Sequence, residues 1–402
     1  MVLSYPNTVT SVASPATLLI LVDSDQNGWC KQFSEEGYNV IHVPYRASSL
    51  ESNVLQEVKE ASDTIADGAD WGLITYGLQT GHFRGIAATL GSKAQSSLKA
   101  SIHFCPKIPD GQEALLRNEK DEYIPTIFHL ASSQEDLFAS LTLLSEPDAL
   151  GYKLTTSSYS PISVYSYPKV SDSPPFPYSL KAPALVVAGE TSTANPYVRS
   201  ATGISYTRTL DLLKRTLGPH YDLEKLWEKH TYYEFGERNA LKTMSTMVAT
   251  PYVNHVATMT GGVGFEHLAR FYKYHFTGES VTPPDTELIT VSRTVGADRI
   301  IDEMIFKCTH TTEIDYFLPG IKPTGKPLEI ALVGVVAFRG DKLTFEHIYW
   351  DQASLLVQLG LLDPSNLPVA GIEVARKVVD PFGMPSNTLM ARWKESEGLP
   401  ID

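Results

Sequence analysis

Cysteine is scarce. Cys30, Cys105 and Cys308 are the only three, odd in number and far apart, which excludes a disulfide framework and suits reduced thiols in an intracellular, cytoplasmic protein. No N-x-S/T triplet occurs, which points the same way. Positive charge is in deficit: 33 Lys and Arg stand against 46 Asp and Glu, for a formal charge of −13. That sign repels a phosphate backbone and an anionic membrane surface, so nucleic acid is not an expected partner. Long apolar runs are missing too. The longest, such as Leu18 to Val22 and Ile330 to Phe338, are far too short to span a bilayer, and the polar N-terminus lacks the basic and apolar regions of a secretion signal. No membrane partner is expected. No GxGxxG follows the first apolar run, where Asp23-Ser24-Asp25-Gln26 would repel a pyrophosphate, so no nicotinamide cofactor is expected. His255, His310, His347 and Asp351 are metal-ligand types, but no H-x-H, H-E-x-x-H or C-x-x-C spacing supports a metal. The sequence therefore predicts neither a metal nor any other cofactor.

What is present describes a folded chain of two domains. Its 402 residues exceed what one core usually supports, and 43% hydrophobic with 20% charged residues is an ordinary globular balance. From Thr17 to about Arg215, short β-rich runs alternate with longer amphipathic ones. Leu18 to Val22, Tyr38 to Val43, Trp71 to Tyr76, Ala100 to Phe104 and Thr126 to Leu130 read as strands of a parallel α/β sheet. Ser49 to Ala66 and Ser133 to Leu144 have helical spacing, with Ser49 and Ser133 as candidate N-caps. Thr155 to Pro183, rich in Ser, Pro and Tyr, reads as a long surface connection. Tyr206 to Leu217 is a helix stopped by Gly218-Pro219, which places the domain boundary near His220.

The second half opens with helical runs at Leu223 to Phe235, Ala240 to Met247 and Gly264 to His275. Long strands follow at Glu287 to Thr294, Arg299 to Thr309, Leu328 to Arg339 and Lys342 to Trp350. Helices first and a curled antiparallel sheet afterwards predict an α+β cone-shaped barrel. The expected division is 1–218, 219–375 and a C-terminal extension, 376–402.

Trp71 to Gly81 (WGLITYGLQTG) runs from a strand through a glycine-spaced turn into a helix. It resembles the nucleophile elbow of the dienelactone hydrolases, within an α/β-hydrolase-like domain covering roughly the first 215 residues. A G-x-nucleophile-x-G reading puts Gln79 at the attacking position, and alignment on Tyr76 puts Gly77 there. Neither side chain attacks a carbonyl. The family's histidine position, after YSYP, holds Ser171, Asp172 and Ser173. Asp136 reads as a helix N-terminal carboxylate, His103 and His129 as hydrogen-bonded core residues, and Cys105 as a structural thiol. A scaffolding or dimerising role is expected of this half.

TPYVNHVATMTGGVGFEHLARFYKYHF at Thr250 to Phe276 and FEHIYWDQASLLVQLGLL at Phe345 to Leu362 resemble the SnoaL-like polyketide cyclases of the nuclear-transport-factor-type superfold, over about Leu223 to Leu362. Joined to a hydrolase-like half, they resemble a fusion often seen in fungal proteins. The resemblance implies an apolar cavity on the concave face of the sheet, cofactor-free acid–base chemistry and a homodimer.

His347, Tyr349 and Asp351 share one face of the last strand, and Glu346, Ile348 and Trp350 the other. Which face is inward stays open on spacing alone. The family's carboxylate after the tryptophan implies Asp351 as general base, with His347, Tyr349 and His310 around it. Along Arg299 to His310 one parity presents Asp302, Cys308 and His310, the other Glu303 and Lys307. Met304 and Phe306 place the first set with the apolar inward face. Asn254 and His255, before TMTGG, are read at a helix-to-loop position over the cavity mouth. Asn254, His255, Asp302, Met304, Phe306 and Trp350 are the expected substrate contacts. His267, His275, Tyr272 and Tyr274 read as helix packing. The expected function is a cyclase, isomerase or lyase acting on a hydrophobic, polyketide-like or aromatic small molecule. The rival readings are an ester or lactone hydrolase in the first domain and a non-catalytic binding or scaffold protein.

Overall fold

A computed structural model describes residues 2–24, 27–109, 111–146, 160–172 and 195–401. It divides the chain into two compact units, Met1–Tyr221 and Asp222–Asp402.

The first unit contains β1 (Leu3–Tyr5), β2 (Thr17–Val22), α1 (Asn27–Glu35), β3 (Asn39–Pro44), α2 (Glu51–Asp63), β4 (Trp71–Tyr76), α3 (Thr80–Ser97), β5 (Leu98–Phe104), β6 (Thr126–Ala131), α4 (Glu135–Ser145), β7 (Ile162–Tyr167) and α5 (Pro196–Leu217). The strands form one sheet in the order β1-β3-β2-β4-β5-β6-β7. Six strands run parallel and β1 pairs antiparallel with β3, so the sheet is mixed rather than purely parallel as expected. Every residue of β4 and β6 is buried, the continuous apolar run that a strand covered on both faces requires. Val54 and Val58 of α2, Phe83 and Ile86 of α3 and Leu137 and Leu141 of α4 pack with Leu19, Leu73 and Phe128. On the opposite face Trp29 of α1 meets Phe104 and Tyr206 of α5 edge-on, at 5.9 and 5.7 Å.

Most of the Ser/Pro-rich stretch lies outside the described residues, but Ile162–Tyr167 within it is a strand rather than surface connection. The N-cap of α2 is Leu50 and that of α4 is Gln134, neither with a capping side chain, so Ser49 and Ser133 do not cap.

The second unit contains α6 (Leu223–Thr231), α7 (Ala240–Ser245), β8 (Met247–His255), β9 (Thr260–Val263), α8 (Phe265–Phe271), β10 (Glu287–Val295), β11 (Arg299–Thr309), β12 (Pro327–Arg339), β13 (Lys342–Trp350), α9 (Gln352–Leu359) and α10 (Glu373–Val379). Its sheet runs β10-β11-β12-β13-β8-β9. All neighbours are antiparallel except β13 and β8, which pair in parallel. Sequence reading missed β8 and β9, and Asn254 and His255 consequently sit on a strand rather than at a helix end. Both α6 and α8 open into single wide turns, Tyr232–Gly236 and Tyr272–Phe276, with π-type bonding. Such turns re-aim side chains without ending a helix. Among the described residues no helix is long and apolar enough to cross a membrane.

Gly261 lets β9 lie against β8. Its φ is +132°, and a Cβ there would stand 2.1 Å from the Val253 carbonyl oxygen. Gly261→Ala is expected to destabilise the second domain by about 2–4 kcal/mol through strain and overpacking, read from its transition in urea unfolding.

Candidate active site

The inward face of the second sheet is set by burial along its strands. On β11, Ile300, Asp302, Met304, Phe306 and Cys308 are buried, while Ile301, Glu303 and Lys307 face out. On β13, Leu343, Glu346 and Ile348 are buried and Tyr349 is exposed. The parity of β13 is thus the reverse of that implied for Asp351. Asp351 is exposed, and its carboxylate accepts from the backbone N–H of Ala353 at 3.0 Å as the N-cap of α9. It is a helix cap outside the cavity, because the strand's two-residue period turns it away with His347 and Tyr349. His347 lies half-buried against Tyr252 and Phe345 on the outer face, its ring pulled below the usual range by burial. Asn254 shares that outer face.

The hollow encloses only about 40 Å³ of its own, and about 490 Å³ of unfilled space once the open solvent at its mouth is counted. Its walls are largely apolar, from Val253, Leu288, Met304, Phe306, Leu332 and Ile348. Met304, Phe306 and His255 of the expected contacts line it, whereas His310 and Trp350 do not. His310 is buried just past β11 with Nδ1 on Thr324 Oγ1 at 3.1 Å. Trp350 packs its ring on Phe317, centroids 4.8 Å apart, and donates to Gln352.

One wall is polar. Trp227, His230 and Glu234 follow each other along α6 and its wide turn, and Glu346 of β13 and Tyr272 of the second wide turn meet them. His230 Nε2 stands 3.1 Å from an oxygen of Glu234 and 3.1 Å from an oxygen of Glu346. The Tyr272 hydroxyl reaches Glu346 at 3.4 Å. His230, Glu234, Glu346 and Tyr272 are all buried. On the other side of the ring, Nδ1 meets Thr246 Oγ1 at 2.6 Å. Thr246 gives its own hydroxyl proton to the Thr243 carbonyl at 2.6 Å, so Nδ1 must be the donor. Behind the ring, Trp227 stacks at 5.6 Å and donates to Asp302 at 2.8 Å. Arg293 clamps Asp302 with two bonds, 2.7 and 2.8 Å. Asp302 therefore anchors Trp227 and lies behind the wall, not against a substrate.

With Nδ1 committed as donor, a neutral His230 would aim a lone pair at two carboxylates. A proton on Nε2 resolves the conflict. Burial pulls His230 toward its neutral form, yet Glu234 and Glu346 overcome this and raise it to about 10. Burial in turn raises Glu234, with His230 opposing, and holds Tyr272 well above the usual phenol range. The trio His230, Glu234 and Glu346 is also a donor set of metal-ligand type, its atoms within 4.8 Å of one another. Sequence reading singled out none of these residues for chemistry. The legible signals were a His and a Glu four apart on the first helix, and a Glu interrupting the buried parity of β13.

In the first domain the candidate nucleophiles are not activated. Gly77 has φ +62° between β4 and α3, and a side chain there would stand in open space. Cys105 is buried and burial pushes its thiol up to about 12, so it stays protonated at neutral pH. Asp172 is ion-paired with Lys107, which holds its carboxyl below the usual range, and Ser173 lies outside the described residues. His103, between Thr75 and Ser101 hydroxyls at 2.8 Å each, and His129, on Tyr167 and Thr209, are buried core side chains.

Two outcomes follow for the second domain. Asp351→Ala should cost about 1 kcal/mol of stability through the lost cap and leave the imidazole signals of His230 unmoved by NMR. His230 should remain doubly protonated at pH 8, while His255, which burial lowers to about 4, stays neutral down to pH 5. Because the pKa of His255 is depressed on folding, its contribution is full above the unfolded value near 6.5 and is lost as pH falls toward 4. The stability of the wild type relative to His255→Phe should therefore fall across that window.

Residues 229–359 match the family model of the SnoaL-like polyketide cyclases. Among solved structures, the chain is similar to a hypothetical protein with a ketosteroid isomerase-like fold from Catenulispora acidiphila, at 17% identity and TM-score 0.27, over 34% of this chain and 94% of that one. It is similar to TsrD from Streptomyces laurentii at 17% identity and TM-score 0.28, over 35% and 96%. An NTF2-like protein of unknown function from Cytophaga hutchinsonii gives 10% identity and TM-score 0.23, over 34% and 95%. No curated protein matches the chain. The domain that carries the buried His230 cluster is SnoaL-like.

Proposed function

We propose that the second domain is a cofactor-independent acid–base enzyme of the cyclase or isomerase type, acting on a hydrophobic, polyketide-like or aromatic carbonyl compound held in its cavity. The observation that carries this reading is the pair of buried carboxylates sharing one imidazole at the polar wall of an otherwise apolar hollow. Glu346, held by His230 and Tyr272, takes a proton from carbon next to the carbonyl. Tyr272, which lines the cavity and whose phenol burial holds well above its usual range, keeps its proton and donates a hydrogen bond to the developing enolate oxygen, and Glu346 gives the abstracted proton back. His230 does not line the cavity and acts as the positioning residue, its charge set between the two carboxylates. The match to the polyketide cyclase family supports the reaction class. The trio would also suit a divalent cation, but the proton on His230 Nε2 satisfies the same corner.

The first domain reads as a hydrolase-type framework that has lost its nucleophile. Support comes from the strand, left-handed glycine and helix at β4, Gly77 and α3, the layout of a nucleophile elbow.

The test is exchange of the α-protons of 2-tetralone, an enolisable aromatic ketone, in heavy water by NMR with the full chain. Glu346→Gln should slow the catalysed rate by about 10²–10⁴-fold, whereas Asp351→Asn should leave it within about twofold, since a capping amide touches no substrate. An undiminished rate in Glu346→Gln overturns the assignment.

A further inference from the structure

His230, Glu234 and Glu346 meet with the spacing of a cation site. Nε2 of His230 stands 3.1 Å from an oxygen of Glu234 and 3.1 Å from an oxygen of Glu346, and the three donor atoms lie within 4.8 Å of one another. A first-row transition ion held tetrahedrally, at about 2.0–2.2 Å from nitrogen and carboxylate oxygen, keeps neighbouring donors about 3.3–3.5 Å apart. The observed separations are close to what coordination needs. His230 and Glu234 stand four apart on α6 and the wide turn that continues it, so one helical face supplies two donors and β13 the third.

The imidazole is oriented as a metal ligand is. A coordinating histidine donates its second ring N–H to a fixed acceptor, which sets the tautomer and turns the other lone pair toward the ion. Here Nδ1 donates to Thr246 Oγ1 at 2.6 Å, and Thr246 is itself held by the Thr243 carbonyl. The lone pair that remains belongs to Nε2, the nitrogen between the two carboxylates.

Charge favours the ion over the proton. With both carboxylates ionised, an imidazolium cancels one of their two charges, and among the described residues no Lys or Arg pairs with either. A divalent cation on a neutral imidazole cancels both, and an unbalanced charge in a buried site is expensive. The hollow beside the cluster, at about 40 Å³, has room for an ion and a water. The Tyr272 hydroxyl, 3.4 Å from Nε2 and 3.4 Å from Glu346, is placed to bond such a water. Of the residues lining the hollow only Thr231, Phe235 and Leu288 are half-buried, which puts the way in between the turn after α6 and β10.

We infer that His230, Glu234 and Glu346 form a site for a divalent transition cation such as zinc, in which the ion replaces the Nε2 proton. The exchange balances: one ion enters, the imidazolium gives its proton to solvent, and no electron moves. Magnesium is not the expected occupant, because it favours six oxygen ligands and keeps its waters. The site itself does not depend on the proposed acid–base reaction. Its effect on that reaction does rest on that reading: a Glu346 held by the ion no longer takes a proton, so the ion inhibits.

The test is calorimetric titration of zinc chloride into the chelator-treated full chain at pH 8, in two buffers of different ionisation heat. Wild type should take up zinc with a Kd below about 10 μM and release at least about one proton per ion. Glu234→Gln and Glu346→Gln should each weaken this step by at least about hundredfold, and Thr246→Val by about 10–100-fold, the cost of an outer partner. His275→Ala, which removes the exposed His275–Asp315 pair, should leave it intact. Melting curves show which variants are folded, and where a glutamine variant is not, the wild-type proton count and the remaining variants decide. The inference is overturned if wild type shows no step tighter than about 10 μM or if the step releases no proton. It is equally overturned if a folded glutamine variant binds as wild type does, or if His275→Ala removes the step. Bound zinc should also halt 2-tetralone exchange, and chelation restore it. Zinc binding with undiminished exchange counts against Glu346 as the base and leaves the site standing, whereas normal exchange without zinc binding removes the site alone.

Discussion

One imidazole N–H aimed at two buried carboxylates governs the second domain. Thr246 accepts from Nδ1 of His230, so the opposite nitrogen is tolerable only with a proton on it. That proton lies 3.1 Å from both Glu234 and Glu346 and cannot satisfy both in full. The surrounding structure is arranged to sustain this. Trp227 covers the ring, Asp302 holds Trp227, and Arg293 holds Asp302. Buried charges of this kind rarely add net stability relative to an apolar core, and removing one partner costs about 3–5 kcal/mol because it strands the other.

The two wide helical turns make the meeting possible. Glu234 lies within Tyr232–Gly236, and Tyr272 begins Tyr272–Phe276. The loosened turns alter which residues face the sheet, and both deliver side chains to the same wall. The opposite region of the cavity is built otherwise. There five rings enclose a single neutral histidine.

Much of the architecture was legible in local pattern. Trp71–Tyr76, Arg299–Thr309 and Lys342–Trp350 occur as strands with the predicted bounds, because long β-rich runs between turn residues declare themselves. The site was less legible. Met and Phe at alternate positions disclosed the inward parity of β11, but β13 carries polar residues on both faces, and the resemblance implied the wrong one. Residues 247–255 escaped notice as a strand because Pro251 interrupts the run and one of its two partners, β13, lies nearly a hundred residues away.

What the sequence by itself determined was the existence and type of most elements, the absence of a hydroxyl or thiol side chain at positions 77 and 79, and the apolar character of the cavity strands. These follow from residue chemistry and periods of two and 3.6. Only the tertiary structure decided that Glu346 turns inward while Asp351 caps α9, and that His230, Glu234 and Tyr272 converge on Glu346. The reason is physical: a strand's alternation defines two faces, but which one is buried depends on the helices and strands that pack against it from elsewhere in the chain.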